Sequence, residues 1–575
     1  MVLGHIPQVN HTFAYLEGLY AIVNEKQVGI GESTCGAKWF AGPKDEDCKE
    51  CNALFDISEL SRVALERAST AREAIQLMGD LGVEYGFYGS EWDSLDLMTY
   101  EEAGEALTVT DPDEAWVFHI LSDDTTKSAV WAAQRVPDDH VSVVANQFVI
   151  SEIYPDADPD YFMFSENLFE VAERGGVGYT RGAGLPLHFT LAFNSRPKDF
   201  PHYAYSTRRV WRVMDVLAPS LGLSPYTDTL GSDYPFSVKP DEPVTTQDIM
   251  GLLRDHYEGT AFDLSKGLGA GPYGDVDRYD HSPSLDGTTS AEDVMNGFFE
   301  RSISLFRASY SSVTQARSGL PDEVGAMMWV AQYKPSMSTY IPLYVGIEEV
   351  PHAYTIGSLL RFSKDASYWA FSVVGNWAER YRVFAHPDVK AQQDALEKPL
   401  FDAQAQLESK AAGLVESGDS DGAMKLLTAH SNSSAVAAVS AYHKLFDTLV
   451  AKYHDGVRLK DANAEKVGFN MFFYPKFWLE AVGYFHSIED DKAATASVEA
   501  SSGGQKGVKH PFGHDSKCPP PAAAGPPGAA AFLPPSSWQA RVGLAVGAAF
   551  FVAVGIVFGR WSATRAGYVN LSDPL

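Results

Sequence analysis

Apolar residues recur at helical spacing between Ile57 and Met78, with Leu60, Ala64, Ala71, Ile75 and Met78 near one face. Ser58 is placed to cap that helix, and Gly79 and Gly82 to stop it. The pattern then shortens. Apolar stretches at Ala115–Leu121, Ala129–Arg135 and Val141–Ile150 are separated by Asp123-Asp124 and Pro137-Asp138-Asp139, which predicts an antiparallel meander. Another strand is predicted at Val28–Thr34. From Asp388 to about Tyr453 the Ala-, Leu-, Gln- and Lys-rich sequence predicts helix, broken near Gly418–Gly422. Helices beside antiparallel strands predict an α+β protein, not alternating β/α units.

The C-terminal pattern is different again. Val542 to Gly559 holds no charged or polar side chain, and as a helix it would span about 27 Å, close to the hydrocarbon core of a bilayer. Trp538 and Arg541 flank one end and Arg560 and Trp561 the other, as interface anchors would. This predicts one transmembrane helix. Gly543 with Gly547, and Gly555 with Gly559, stand at the spacing that lets two such helices approach, so a homodimer through this helix is an expectation. Upstream, Pro519-Pro520-Pro521, Pro526-Pro527 and Pro534-Pro535 among Ala, Gly and Ser predict a disordered stalk. The expected organisation is a core over 1–385, a helical extension of the same body over 386–488, a linker over 489–540, the membrane helix over 541–560 and a short tail over 561–575.

With 575 residues, 45% of them apolar, the chain can bury a sizeable core. A formal charge of −30 excludes nucleic acid as a partner, because that binding depends on cations neutralising phosphates. Four cysteines are few for a disulfide scaffold. Cys48 and Cys51 form a CxxC, but no second ligand pair at zinc spacing accompanies them. A local disulfide of Cys35 with Cys48 or Cys51, or loop thiols without function, are the two readings left. Cys518 stands far downstream.

Six stretches carry a resemblance. They are HTFAYLEGLYAIVNEKQVGIGESTCGAK, ELSRVALERASTAREAI, VWAAQRVPDDHVSVVANQ, YSTRRVW, RDHYEGTAFDLSKGL and MMWVAQYKPSMSTYIPLY. In this order they resemble the dipeptidase A/secernin family of N-terminal-nucleophile hydrolases. The resemblance implies a four-layer αββα core and hydrolysis of amide bonds, with dipeptides as substrates and no metal or cofactor. It also implies a leading cysteine that attacks the scissile carbonyl while its own α-amine, with an ordinary pKa near ~7.7–8, moves the proton. This chain begins Met1-Val2-Leu3-Gly4, and its first cysteine is Cys35. Neither Thr12 nor Cys35 substitutes for a leading nucleophile, so no nucleophile is assigned and the chain as it stands is expected to be inactive.

The supporting residues are present. Asn146, in Val144-Ala145-Asn146-Gln147, matches the asparagine that related enzymes use in the oxyanion hole. Arg209 matches an arginine that braces the nucleophile, with the adjacent Arg208 as the one-residue alternative. Thr34, at the end of the Glu32-Ser33-Thr34 strand, is the nearest match to a further oxyanion or substrate contact. Other residues read as structural: His140 in a polar turn, and Trp329, Tyr333, Tyr340 and Tyr344 as aromatic residues of strands. Asp255 and His256 suggest an acid/base pair or metal ligands that the family does not need.

Sequons at Asn10 and Asn432 would be usable only in a secretory lumen, and a third at Asn570 lies beyond the membrane helix. Arg560 and Arg565 favour a cytoplasmic tail, whose Gly567-Tyr568-Val569-Asn570-Leu571 resembles a lysosomal sorting signal. A type I protein is expected, with its body in a lysosome-like or vacuolar lumen or outside the cell. Such insertion calls for a signal peptide, and Met1–Tyr20 contains no such segment. One absent leader would account for both the missing signal and the missing cysteine. The functional expectation is a membrane-tethered, dipeptidase-like cysteine exopeptidase. Its rivals are a non-catalytic binding or trafficking glycoprotein on the same fold, and an amidase or acylase of non-peptide amides.

Overall fold

Seven strands that follow one another in sequence also lie side by side in space. They are β1 (Tyr15–Glu17), β2 (Ala21–Asn24), β3 (Gly29–Cys35), β4 (Gly104–Thr110), β5 (Ala115–Ser122), β6 (Ala129–Val136) and β7 (Phe162–Phe164). Every neighbouring pair is antiparallel. The computed structural model describes residues 4–44, 52–91, 101–180, 184–194, 204–228, 230–231, 233–279, 299, 301–459, 469–484 and 492.

Side-chain alternation gives this sheet two working faces. One packs Ile30, Leu107, Trp116, Phe118, Ile120 and Trp131 against helices α1 (Ile57–Arg67) and α2 (Ala71–Tyr85). On the other, Cys35, Ala106, Leu121, Val130 and Ala132 meet Phe148, Phe189 and the short helix α3 (Leu168–Arg174). Two further helices matter below: α4 (Thr207–Leu217) and α5 (Thr246–Leu253).

A second antiparallel sheet consists of β8 (Tyr310–Gln315), β9 (Met327–Gln332) and β10 (Ile341–Tyr344). Its core continues into α6 (Ser367–Glu379), α7 (Arg382–Glu416) and α8 (Ser420–Lys452), with the Trp329 and Phe401 rings stacked 4.1 Å apart. The sheets meet where β3 carries Gly29. A Cβ there would lie 2.9 Å from Thr110 Oγ1 and 3.2 Å from Thr314 Oγ1, so only glycine lets them approach so closely. Residue 385 falls inside α7, whose Ala385, Val389 and Ala411 belong to the same core as Trp329 and Tyr344.

Two expected elements differ. The helix expected over Ile57–Met78 is two helices, because Ala68 is extended and Thr70 starts a new one, accepting the Glu73 N–H while the Glu73 carboxylate takes Ser69 N–H and Oγ. The caps are therefore Asp56 and Thr70, not Ser58. Gly79 and Gly82 do not stop α2; they make room for β6 and β5. A Cβ on Gly79 would come within 2.2 Å of the Trp131 indole, and one on Gly82 within 2.8 Å of Ile120 Cδ1. The helix ends instead at Gly86, whose positive φ of 80° suits a residue without a side chain.

The strand expected over Val141–Ile150 is also cut short. Only Val141–Ser142 pairs, with Ser237–Val238 in a separate two-stranded ladder, and residues 143–150 form no strand. Tyr333 and Tyr340 fall in the connection between β9 and β10, yet both are buried. Cys48, Cys51, Cys518, the linker apart from residue 492, the apolar run Val542–Gly559, the tail and Asn570 all lie outside the described residues. Among the described residues no helix is long and apolar enough to cross a membrane.

The packing of α2 predicts opposite outcomes for two helical glycines. Gly79→Ala forces the Trp131 indole to move and should cost about 1–3 kcal/mol. Gly413→Ala in α7, where a Cβ meets nothing within 4 Å, should gain up to about 1 kcal/mol from helix propensity. Thermal unfolding of the two variants checks this; equal shifts would refute the Gly79–Trp131 packing.

Candidate functional site

The departure of Val143–Ile150 from the sheet builds the site. Asn146 turns the chain with a φ of 54°, a left-handed conformation that asparagine tolerates better than a bulky or β-branched residue. His119 of β5 holds the following stretch, its Nε2 accepting Val149 N–H at 2.9 Å and Ile150 N–H at 3.2 Å. The ring is wholly buried beside Phe148 and Phe189, and burial pushes its pKa down to about 3, so the imidazole stays neutral.

Asn146 is fastened on every side. Its backbone N–H donates to Ser33 Oγ at 2.7 Å, and its Nδ2 donates to the Thr34 carbonyl at 2.7 Å. Arg209 of α4 donates Nη2 to Asn146 Oδ1 at 3.0 Å, and Ser206 Oγ donates to the Asn146 carbonyl at 3.2 Å. Strand β3 and the start of α4 are thereby joined through one side chain.

The two arginines of the Arg208-Arg209 pair point apart. Arg209 turns inward, with Nε on the Tyr205 carbonyl and its guanidinium 5.0 Å from the Tyr205 ring centre. Arg208 turns toward the Pro225 carbonyl and lies 3.6 Å from the centre of the Phe262 ring. Burial pulls the Arg209 guanidinium down to about 10; Tyr205 opposes that shift, and the Arg301 charge adds to it. Arg301 faces the same Tyr205 ring at 4.4 Å and donates to its hydroxyl.

Thr34 reaches the cluster through its backbone alone. Adjacent strand residues point to opposite faces, so Ser33 and Cys35 face Asn146 while the Thr34 hydroxyl bonds Glu32 Oε1 at 2.6 Å on the helix-covered side. There burial raises the Glu32 carboxyl, with hydrogen bonds from Glu105 and Thr34 acting against it. Cys35 is buried, its Sγ lies 3.2 Å from the Ser33 carbonyl, and it carries no disulfide to a described residue. It is near enough to Arg209 to act on it electrostatically. A fixed carboxamide and a buried guanidinium on one face can together stabilise a developing oxyanion or a thiolate.

The remaining candidates take other roles. His140 Nδ1 bonds Ser237 Oγ at 2.9 Å and pins the short Val141–Ser142 ladder. Asp255 pairs with Arg212 of α4 at 2.7 Å, and His256 is buried with Nδ1 on Glu258 Oε1 at 3.2 Å, so the two do not work as a pair. Trp329, Tyr333, Tyr340 and Tyr344 are core residues. Asp275, Asp277 and Glu379 gather closely enough to suggest a metal site, but Lys334 Nζ sits 2.6 Å from both Asp277 and Glu379. Burial would neutralise that lysine; the two carboxylates outweigh it and keep the ammonium charged, so a protein cation fills this position.

Ser33, Tyr205, Ser206, Arg301 and His119 were not singled out by sequence. Strand alternation could have found Ser33, because period 2 places it opposite Thr34. Tyr205 and Ser206 open the YSTRRVW stretch, one turn before Arg209, whereas His119 and Arg301 reach the site from distant segments.

The chain matches the model of peptidase family C69 over residues 17–394. It is 28% identical over 381 residues to a dipeptidase of Bifidobacterium longum, covering 62% of each chain. It is 25% identical over 343 residues to a probable dipeptidase of Latilactobacillus sakei, covering 60% of this chain and 61% of that one. A probable dipeptidase of Salmonella dublin is 27% identical over 290 residues, 50% of this chain and 54% of its own. The chain thus spans about three fifths or less of the length of these relatives.

The neutral, buried His119 gives a pH dependence with a definite sign. Above its ordinary value of 6.5, both folded and unfolded states are neutral and nothing is lost. Below 6.5 the unfolded chain binds a proton that the folded one refuses until about pH 3, so stability falls by up to about 1.4 kcal/mol per pH unit from this group. Denaturant unfolding at pH 7, 6 and 5 should show a shallower loss in His119→Gln; an unchanged slope would contradict the assignment.

Proposed function

The chain belongs to peptidase family C69, and from that premise we propose that it serves the hydrolysis of dipeptides through a thiol nucleophile. The observation that carries this reading is the bond from Arg209 Nη2 to the Asn146 carboxamide, which anchors a hydrogen-bond donor and a cation on one face. Nδ2 of Asn146 has two hydrogens, and the Thr34 carbonyl takes one. The other is available to polarise a scissile carbonyl as its oxygen gains charge. Fixing that donor in advance avoids reorganisation during the reaction, which is where such donors gain their effect. Arg209 supports the anionic form of the attacking sulfur.

Two stacked antiparallel sheets with helices packed on their outer sides support the αββα arrangement implied by the resemblance. The nucleophile in this reading is a leading cysteine whose α-amine is the base. Cys35 is buried inside β3, which speaks against it as the attacking thiol. The charge-free run Val542–Gly559 supports a membrane tether, and Arg560 and Arg565 beyond it support a body on the lumenal side.

The test compares the purified 575-residue chain with the native protein isolated from its source, on a panel of dipeptides. Turnover is expected from the native protein, and alkylation mapped by mass spectrometry to its first residue should abolish it. Turnover by the 575-residue chain that disappears in Cys35→Ser would overturn the mechanism. No turnover by either would favour a binding protein on the same fold.

A further inference from the structure

A cleft of about 610 Å³ opens between α5 and α7, and none of Ser33, Cys35, Asn146 or Arg209 lines it. Its volume falls within the range of small-molecule sites. Helix α7 presents Arg382, His386, Lys390, Asp394 and Lys398 to it at four-residue spacing, one face of the helix.

Part of the lining is already committed to holding the floor. Arg254 pairs with Glu397, Nη1 to Oε2 at 3.1 Å, and donates Nε to the Pro335 carbonyl at 3.0 Å; Tyr340 N–H donates to Glu397 Oε1 at 2.9 Å. These groups are satisfied without a ligand. Two others are not. Gln393 is wholly buried and donates Nε2 to the carbonyls of Ser338 at 2.8 Å and Ser336 at 3.1 Å, yet its Oε1 meets no donor among the described residues. Ser336 Oγ, 2% exposed, also lacks a partner there. Buried polar atoms left in this state are uncommon and call for an explanation. Both belong to residues lining the cleft, and both can accept from an N–H donor.

The rim carries charges of both signs. Arg382 Nη2 lies 3.7 Å from Glu258 Oε1, and Lys390 pairs with the exposed Asp394. A simple anion would meet the carboxylates and a simple cation the guanidinium and ammonium. A molecule with both charges matches both. We propose that this cleft binds a small zwitterion, a free amino acid or a dipeptide, with its ammonium on Gln393 Oε1 and Ser336 Oγ and its carboxylate toward Arg382 and Lys390. The inference goes beyond the peptidase reading and does not depend on turnover.

Isothermal titration of the full 575-residue chain tests it, with L-alanine, L-alanyl-L-alanine, N-acetyl-L-alanine and L-alaninamide as probes. Either or both of the first two should bind, and their ranking identifies the natural size class. Removing either charge should weaken binding at least tenfold. Lys390→Ala, an exposed change that spares the core, should weaken binding several-fold, and Gln393→Leu at least tenfold. Should Gln393→Leu fail to fold, Ser336→Ala replaces it with the same expectation. Equal binding of the acetylated or amidated probe, no binding of any probe, or binding unchanged in Lys390→Ala would overturn the proposal. Because the readout is binding alone, loss of peptidase activity elsewhere leaves it standing.

Discussion

Everything at the candidate site depends on the way Asn146 is tied between a strand and a helix. Its main chain holds Ser33, its carboxamide holds Thr34 on one side and Arg209 on the other. A left-handed residue inside an apolar stretch is unfavourable by itself, so the surrounding bonds must over-determine it. They come from two separate parts of the chain, β3 and the start of α4. The turn is therefore a property of the whole fold, and it could not form in an isolated hairpin.

Buried charge follows the same logic of mutual support. Arg209 is wholly buried, and its cation is tolerated because carbonyls, a carboxamide and the Tyr205 ring surround it. Lys334, Asp277, Glu379 and Arg382 form a second such group that joins the 277 loop, the β9–β10 connection and the α6–α7 junction. Removing one member of either group would strand the rest, which costs far more than the pair itself contributes. The architecture around the site is held by geometry and charge together.

How much of this was legible in the sequence depended on range. The meander over β5 and β6 was readable because its alternation is local and its turns carry Asp and Pro. The long helices after residue 382 were readable from composition and a glycine break. The division at Ala68–Thr70 was hidden, since a cap made by Ser69, Thr70 and Glu73 competes with an apolar face that runs straight through it. Gly79 misled because a glycine chosen for close packing looks the same in sequence as one chosen for a helix end. Asn146 and Arg209 were named through resemblance; in the structure they are hydrogen-bonded to each other, and Arg208 points away. Thr34 meets Asn146 through its carbonyl, while its hydroxyl bonds Glu32, a distinction that the sequence does not carry. His119 and Arg301 act across distances of sequence that no local pattern records.

In the proposed reaction the Asn146 carboxamide stabilises the transition state and does not merely bind the ground state. Steady-state kinetics of dipeptide hydrolysis by the native protein and its Asn146→Ala variant test it most directly. A kcat lower by about 10²–10³ with KM little changed is expected. A variant with kcat intact and only KM raised would contradict it.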